Sequence, residues 1–349
     1  MCDAAGQNRG AASRFGAEPR TRRRSHDRGG GGGVVKRLLR NIGNPNPHIL
    51  FVGLLVLSLG LSRASPYFWT GRNIANIFDQ ASAGIILSVG MTFVIAAGGI
   101  DLSIGANIAL SSLVTALLLK QGCAFSLSLV AGLLLASGGG VLNGCLISSV
   151  RLNPFIVTLC TMSVFRGTAL MLTDGRPVFD FSESFMALGG TLPGGLSVPA
   201  LLALSVAGMG VFLMRFTKFG AYACFMGCNE EALSRSGVSV HRWKLAFYAL
   251  SGLCSGLAGL VLCARLNTAE PLAAVGIEME VIAAVVLGGT DIRGGRGSAA
   301  GSLLACLFLA LLRNGFVVLN VSARYQQLLM GLIVLAAVSV SEIRHGRRT

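Results

Sequence analysis

Long apolar runs separated by short polar segments dominate the chain from residue 41 onward. A helix needs roughly 20 apolar residues to cross a bilayer. Charge-free runs occupy 41–62, 80–100, 102–119, 121–150, 152–165, 184–214, 245–264, 281–290, 297–312 and 325–341. This pattern predicts an all-α integral membrane protein with about ten transmembrane helices. The runs 152–165 and 281–290 are short, so each must continue past a charge, tilt or form a half-helix.

Composition excludes an ordinary soluble domain. The chain has 349 residues, of which 53% are hydrophobic and only 13% are charged. Soluble domains carry about 25% charged residues, so the charges here are too few to solvate a globule of this size. The bilayer is therefore the predicted solvent.

The first 44 residues differ from the rest. Ten basic and three acidic residues lie within 1–48, and Gly29–Gly33 is an unbroken glycine run. Such a segment cannot bury enough apolar area to fold, which predicts a disordered, basic, cytoplasmic tail over 1–44. A nucleic-acid site or a targeting peptide is the alternative, but a tail beside the first span needs no partner. The transmembrane domain is predicted at 45–344, with a cytoplasmic end at 345–349.

Basic residues in the short loops predict the sidedness of the chain. The segment 215–244 holds Arg215, Lys218, Arg235, Arg242 and Lys244, and the C-terminal end holds Arg344, Arg347 and Arg348. Lys and Arg concentrate in cytoplasmic loops. Ten crossings put the tail, this segment and the C-terminus in the cytoplasm, provided that 281–290 crosses rather than re-enters.

Two glycine-rich elements resemble each other. Residues 98–105 precede residues 288–295 by 190 positions, and Asp101 matches Asp291. Gly-broken segments at corresponding positions are typical of duplicated transporters, because irregular backbone at membrane depth must line a cavity or be covered by protein. Chance similarity between Gly- and Ala-rich helices is the alternative. The predicted pathway and gating residues are Gly98, Gly99, Asp101, Ser103, Gly105, Gly288, Gly289 and Asp291.

Asp101 lies between two apolar runs, where an ionisable side chain is costly. A pathway or gating role is one interpretation. The other is an N-cap for a helix that begins at Ser103, because Asp accepts the unpaired N–H groups of a first turn. The two interpretations are compatible. Asp291 has the same ambiguity, with Arg293 and Arg296 favouring a loop or an interface.

Catalytic motifs are missing from the sequence. The stretch 288–297 has no P-loop lysine, and neither His-Glu-x-x-His nor Gly-x-Ser-x-Gly occurs. Cys224 and Cys228 are one helical turn apart, but the four histidines are scattered. We therefore expect no enzyme activity, no metal and no cofactor. If ATP drives this protein, a separate chain must bind it.

The segment 215–244 is predicted to form a short helix, a turn and a second helix, with 230–235 helical and 236–238 as the break. A solvated connector is one interpretation. The other is a coupling helix that docks on a partner, which the apolar residues interspersed here favour. These residues are Tyr222, Phe225, Met226 and Leu233.

A series of motifs resembles the permeases of bacterial ABC importers for monosaccharides, the branch that includes ribose, xylose and arabinose uptake. The series covers about residues 70–345. It consists of 89–95 continuing into 98–105, 153–159 with Arg166-Gly167, 175–177, 217–220, 227–230, 236–238 and 280–297. The chain departs from the family pattern at Ala221, where arginine is usual, and at Cys228, where glycine is usual.

The resemblance implies a type II ABC importer-like permease in the bacterial inner membrane, in contact with lipid. It implies a second permease subunit, identical or different, an ATP-binding subunit in the cytoplasm and a sugar-binding protein outside. No nucleic acid is expected. The family's ATPase-coupling segment corresponds to Gly220, Gly227, Asn229, Glu230 and Gly237.

The alternative function is a stand-alone secondary transporter or facilitator for a small polar solute. Ion coupling would require several intramembrane carboxylates or histidines as relay groups. Asp101 is the one convincing candidate in the sequence. The sequence does not identify the sugar.

Overall fold

The computed structural model describes residues 47–192, 195, 197–322, 324–326, 328–332 and 335. The predicted tail 1–44, the predicted C-terminal end 345–349 and part of the run 325–341 lie outside these residues. Most of the described residues are helical. The elements are α1 (Pro47–Ala64), α2 (Gly71–Ala96), α3 (Ile104–Lys120), α4 (Phe125–Ser149), α5 (Pro154–Leu172), β1 (Val178–Phe179), α6 (Glu183–Met186), a 3-10 turn (Ala187–Gly189), α7 (Val198–Phe216), α8 (Lys218–Cys228), α9 (Glu230–Arg235), α10 (Val240–Leu266), β2 (Thr268–Ala269), α11 (Ile277–Leu287) and α12 (Ala299–Val318).

The helical, membrane-type fold predicted from the sequence is confirmed. Within the described residues, six helices are long and apolar enough to cross a bilayer, namely α2, α4, α5, α7, α10 and α12. The apolar helices α1 and α3 are shorter. Large side chains such as Leu134, Val164 and Met171 are 61–81% exposed, as expected for helix faces that meet lipid. The count of about ten crossings stays a prediction.

Two predicted spans have different bounds in the structure. The run 184–214 contains the short helix α6 and the 3-10 turn, and the long helix α7 begins only at Val198. Glycines at 189 and 190 disfavour helix in between, while Ser197 caps α7 by accepting the Ala200 N–H at 3.2 Å. In contrast, α5 runs to Leu172 and so continues past Arg166, one of the options predicted for the short run 152–165.

The run 281–290 corresponds to α11, which has 11 residues. At about 1.5 Å per residue it is about 16 Å long, roughly half the hydrocarbon thickness. It is therefore the half-helix that the sequence allowed, and it does not cross the membrane alone. The ten-crossing count had required a crossing here.

The core is built around α2 and α10. Helix α2 packs against α7, α10 and α12, and α10 also packs against α3 and α4. The two short strands β1 and β2 pair antiparallel and join the loop after α5 to the loop after α10.

Small residues make the close contact between α4 and α10 possible. Gly132, Ala136, Gly140 and Gly144 recur every four residues on α4 and are all buried. A Cβ atom at Gly140 would overlap the Tyr248 carbonyl oxygen. Such small-xxx-small stripes let transmembrane helices approach at the backbone, where dispersion and weak polar contacts stabilise them.

Candidate functional site

The first of the two irregular segments, residues 97–103 between α2 and α3, is called the first break. Helix α2 ends before it in a Schellman motif. The Gly99 N–H donates to the Val94 carbonyl at 2.9 Å, and the Gly98 N–H donates to the Ile95 carbonyl at 2.9 Å. Gly98 adopts φ +80°, a left-handed conformation that glycine takes without a Cβ penalty. Helix α2 therefore stops at this point because of its local sequence.

The second break consists of residues 288–298, between α11 and α12. Helix α11 ends in the same motif, shifted by one residue. The Thr290 N–H donates to the Val285 carbonyl at 3.1 Å, and Gly289 has φ +98°. The structural counterpart of Gly98 is thus Gly289, whereas the sequence offset had paired it with Gly288. Gly288 has another role, because a Cβ there would overlap the backbone of Gly301.

The two aspartates share a local geometry and differ in burial. The Oδ1 atom of Asp101 accepts the Ser103 N–H at 3.1 Å, and that of Asp291 accepts the Arg293 N–H at 3.0 Å. Both are therefore Asx turns. Asp101 is only 1% exposed, whereas Asp291 is partly exposed. The internal similarity is thus real in backbone terms, but only Asp101 lies in the core.

Asp101 joins three helices through neutral donors. Its Oδ1 also accepts from Ser103 Oγ at 2.6 Å, and its Oδ2 accepts from Ser251 Oγ of α10 at 2.8 Å. The Asn143 Nδ2 of α4 donates to Ser103 Oγ at 2.8 Å. Ser103 occupies the N-cap position of α3 but makes no capping bond itself. Asp101 therefore satisfies an N–H group beside the start of α3, but the helix begins at Ile104 and its N-cap is Ser103, whereas the N-cap interpretation had predicted Asp101.

The two breaks contact each other and the predicted coupling segment. A Cβ on Gly294, which has φ +87°, would lie 2.9 Å from the Cα atoms of both Gly98 and Gly227. A Cβ on Gly227 would overlap the Ala96 carbonyl oxygen and the Gly295 nitrogen. We call Gly98, Gly227 and Gly294 the glycine junction. It places one predicted pathway residue, Gly98, and one predicted coupling residue, Gly227, in contact with the loop after α11.

The remaining predicted coupling residues shape the loop between α7 and α10. The Oδ1 atom of Asn229 accepts the Ala232 N–H at 2.9 Å and caps α9. Gly220 lies so close to the Met214 backbone that a Cβ would overlap it. Gly237 has φ +82° and lies in the turn after α9. The predicted order of helix, turn and helix is confirmed.

Glu230 is bound by its own chain. Lys244 of α10 donates to both carboxylate oxygens, at 2.8 and 2.7 Å. The Lys244 side chain is 17% exposed and that of Glu230 is 52% exposed. Because Lys244 is largely shielded, this pair is screened less than a surface salt bridge.

Aromatic side chains attach α8 to the core. The Phe219 ring lies 5.0 Å from Phe93 and 4.9 Å from Phe247, and Tyr222 lies 4.8 Å from Trp243. These edge-to-face contacts favour a fixed orientation.

The apolar residues predicted to favour partner docking mostly face inward. Met226 is 3% exposed and Leu233 is 8% exposed, and only Phe225 is open, at 57%. Most of this apolar set therefore holds the coupling segment to its own protein, because tertiary packing buries the side that a partner was expected to cover.

A cavity of about 790 Å³ is lined by residues of the first break, of α9 and of α10. Gly98 and Gly99 line it together with Glu230, Lys244 and Tyr248. A Cβ on Gly99 would lie 2.5 Å from the Tyr248 hydroxyl oxygen, so a larger residue there would displace that hydroxyl group.

Arg166 is a polar contact that sequence reasoning did not place in the site. Its Nη1 donates to the carbonyl oxygens of Pro271 and Ala273, at 2.9 and 2.8 Å. These carbonyls belong to the irregular segment between β2 and α11. On the same segment, a Cβ at Gly105 would lie 2.6 Å from the Ala274 carbonyl oxygen. Gly105 thus lets α3 approach the irregular segment whose carbonyl oxygens accept hydrogen bonds from Arg166.

Among the residues that the structure describes, no group of three or more His, Cys, Asp or Glu side chains could hold a metal ion. Cys228 instead lies 3.8 Å from the Gly295 carbonyl oxygen. Burial raises the pKa of the neighbouring Cys224 thiol, which keeps it protonated near neutral pH.

Comparison with known proteins identifies relatives of this chain. Residues 73–338 match the family model described as "Branched-chain amino acid transport system / permease component". The ribose import permease protein RbsC of Bacillus subtilis is 40% identical over 82% of this chain and 90% of its own length. The D-allose transport system permease protein AlsC of Escherichia coli is 36% identical over 84% and 90%.

A third relative is the L-arabinose ABC transporter permease protein AraH of Azospirillum brasilense, which is 36% identical over 84% of this chain and 87% of its own length. No solved structure matches the chain. The family match covers most of the described helices, including both breaks and the coupling segment. The chain therefore belongs to this family of transport-system permease components and is a multi-pass membrane protein.

Proposed function

We propose that the chain is the non-catalytic permease subunit of an ATP-binding-cassette importer and forms the pathway for a monosaccharide delivered by an external binding protein. The family description names branched-chain amino acids. The sugar assignment instead follows three relatives named for ribose, allose and arabinose, each aligned over more than 80% of this chain. The subunit has a type II-like core with about ten crossings, a count that requires the half-helix α11 to cross together with adjacent residues.

The glycine junction is the observation that carries this proposal. An importer must link an ATP-driven movement in the cytoplasm to a change in the membrane pathway. Gly227 of the coupling segment touches the break that begins at Gly98, and the Gly294 loop touches both. Because these contacts are made at the backbone, a displacement of α8 shifts both breaks. Gly220 and Asn229 shape the ATPase-facing surface, Gly237 ends it, and Glu230 supports it through its ion pair with Lys244.

The pathway in this proposal runs beside Asp101, Ser103 and Gly105, with Gly288, Gly289 and Asp291 supporting the second break. A second permease subunit, identical or different, completes it in this proposal, as the family resemblance implies. The N-terminus, the coupling segment and the C-terminus face the cytoplasm of the bacterial cell.

The test is sugar uptake in vesicles that contain this chain, its ATP-binding subunit and its sugar-binding protein. We expect uptake of one of labelled ribose, allose or arabinose that requires all three proteins and ATP. A matched preparation without the ATP-binding subunit is the control. Uptake by the chain alone, driven by an ion gradient, would establish the stand-alone transporter instead.

A further inference from the structure

Three side chains of α10 point to one side of the helix and contact the two ends of the site. Lys244, Tyr248 and Ser251 are spaced i, i+4 and i+7. At 3.6 residues per turn they lie within about 60° of arc, and seven residues extend about 10 Å along the axis. This side of α10 therefore spans the distance between the coupling segment and the buried aspartate.

The first contact is with the coupling segment. Lys244 donates to both oxygens of Glu230, at 2.8 and 2.7 Å. Glu230 is the first residue of α9 and directly follows the Asn229 cap. The ammonium group thus fixes the start of α9 relative to α10.

The other two contacts are with the first break. The Tyr248 hydroxyl donates to the Ile100 carbonyl at 3.3 Å, and Ser251 Oγ donates to Asp101 Oδ2 at 2.8 Å. Tyr248 and Ser251 are 3% and 1% exposed. Ile100 and Asp101 are consecutive residues of the first break. Two turns of α10 therefore bind both a backbone carbonyl and the carboxyl group of this segment.

We propose that Lys244, Tyr248 and Ser251 are positioning residues that hold the coupling segment and the Asp101 break in one register, so that α10 transmits movement of α9 to the pathway. This inference rests on the importer function proposed above. It goes beyond that function by naming the helix face that carries the movement. The α4 contact restricts α10 beside this face, since Gly140, Gly144 and Gly252 bring the two backbones together.

The experiment measures sugar taken up and phosphate released in the same vesicles, using the complete complex and whichever of the three sugars the wild type transports. The variants are Lys244→Met, Tyr248→Phe and Ser251→Ala. The matched control is Ser255→Ala, because Ser255 is buried in α10 and its hydroxyl donates only to the Ser251 carbonyl of the same helix, at 2.9 Å. We expect sugar per ATP to fall at least threefold in each variant and to stay unchanged in the control.

A charge exchange separates positioning from a simple loss of folding. Glu230→Lys with Lys244→Glu restores the pair in reverse, so we expect sugar per ATP to return to within twofold of the wild type. Wild-type ratios in all three single variants would overturn the inference. Loss of ATPase co-purification in the exchanged protein would also overturn it, because Glu230 would then serve the partner rather than Lys244. Failure of the importer function itself appears separately, as no ATP-dependent uptake by the wild type.

Discussion

The Gly295 N–H donates a hydrogen bond of 2.9 Å to the carbonyl oxygen of Ala96. Ala96 is the last residue of α2, and Gly295 belongs to the loop after α11. The bond therefore satisfies a helix-end carbonyl that has no partner within α2. It also fixes the second break to the end of α2, where the first break begins, next to Gly227.

Asp101 gives a prediction that separates capping from proton relay. Asp101→Asn keeps one oxygen to accept the Ser103 donors, so we expect uptake within a few-fold of wild type. Asp101→Leu removes every acceptor and leaves buried donors unsatisfied, at about 1–3 kcal/mol each. We expect uptake to fall more than tenfold. The measurement is sugar uptake at matched membrane abundance.

The proton-relay alternative predicts another result for the same two variants. Asn cannot titrate, so a relay would stop as completely with Asn as with Leu. Equal and total loss in both, with the ATPase still bound, would reject the capping role of Asp101.

Gly227 tests the glycine junction. Gly227→Ala introduces a Cβ that overlaps the Ala96 oxygen and the Gly295 nitrogen, so α8 must move away from both breaks. We expect at least a tenfold loss of ATP-dependent uptake. The matched control is Gly208→Ala in α7, where a Cβ meets no atom within 4 Å. Uptake by Gly227→Ala equal to that of the control would show that the close contact is dispensable.

Gly140 tests the packing of α4 on α10. A Cβ there would overlap the Tyr248 carbonyl oxygen, whereas a Cβ on Gly138, two residues away, meets nothing within 4 Å. We expect Gly140→Ala to lower the melting temperature of the detergent-solubilised protein. Gly138→Ala should leave it unchanged or raise it, since alanine favours helix over glycine by about 1 kcal/mol. Thermal unfolding followed by tryptophan fluorescence measures both, and equal melting temperatures would contradict the proposed α4 contact.

Gly237 tests backbone strain in the coupling segment. Its φ of +82° disfavours any L residue, while a Cβ would meet no atom of this chain within 4 Å. Asn tolerates this conformation far better than a β-branched residue. We therefore expect Gly237→Asn to retain most uptake and Gly237→Val to lose most of it. If both lose uptake equally while binding the ATPase poorly, contact of the position with the partner, rather than strain, would be the cause.

Local features of the site could be predicted from the sequence. The breaks near Gly98 and Gly288 and the turn at Gly237 depend on residues a few positions apart, and so does the cap at Asn229, which had not been predicted. Glycine permits left-handed backbone, and Asn and Asp side chains bond the nearest free N–H groups. These preferences act without knowledge of the rest of the chain.

The partners of those features were decided by the tertiary structure. Ser251, which binds Asp101, is 150 residues away from it along the chain. Lys244 forms an ion pair with Glu230, a residue that had been expected to face another protein. Met226 and Leu233, which had also been expected to favour docking on a partner, are buried within this chain. In a membrane protein, lipid and protein interior are equally apolar, so hydropathy shows which segments leave water and not which helix faces meet each other. The helix faces that pack together are determined instead by close backbone approach, as at Gly140, Gly227 and Gly294.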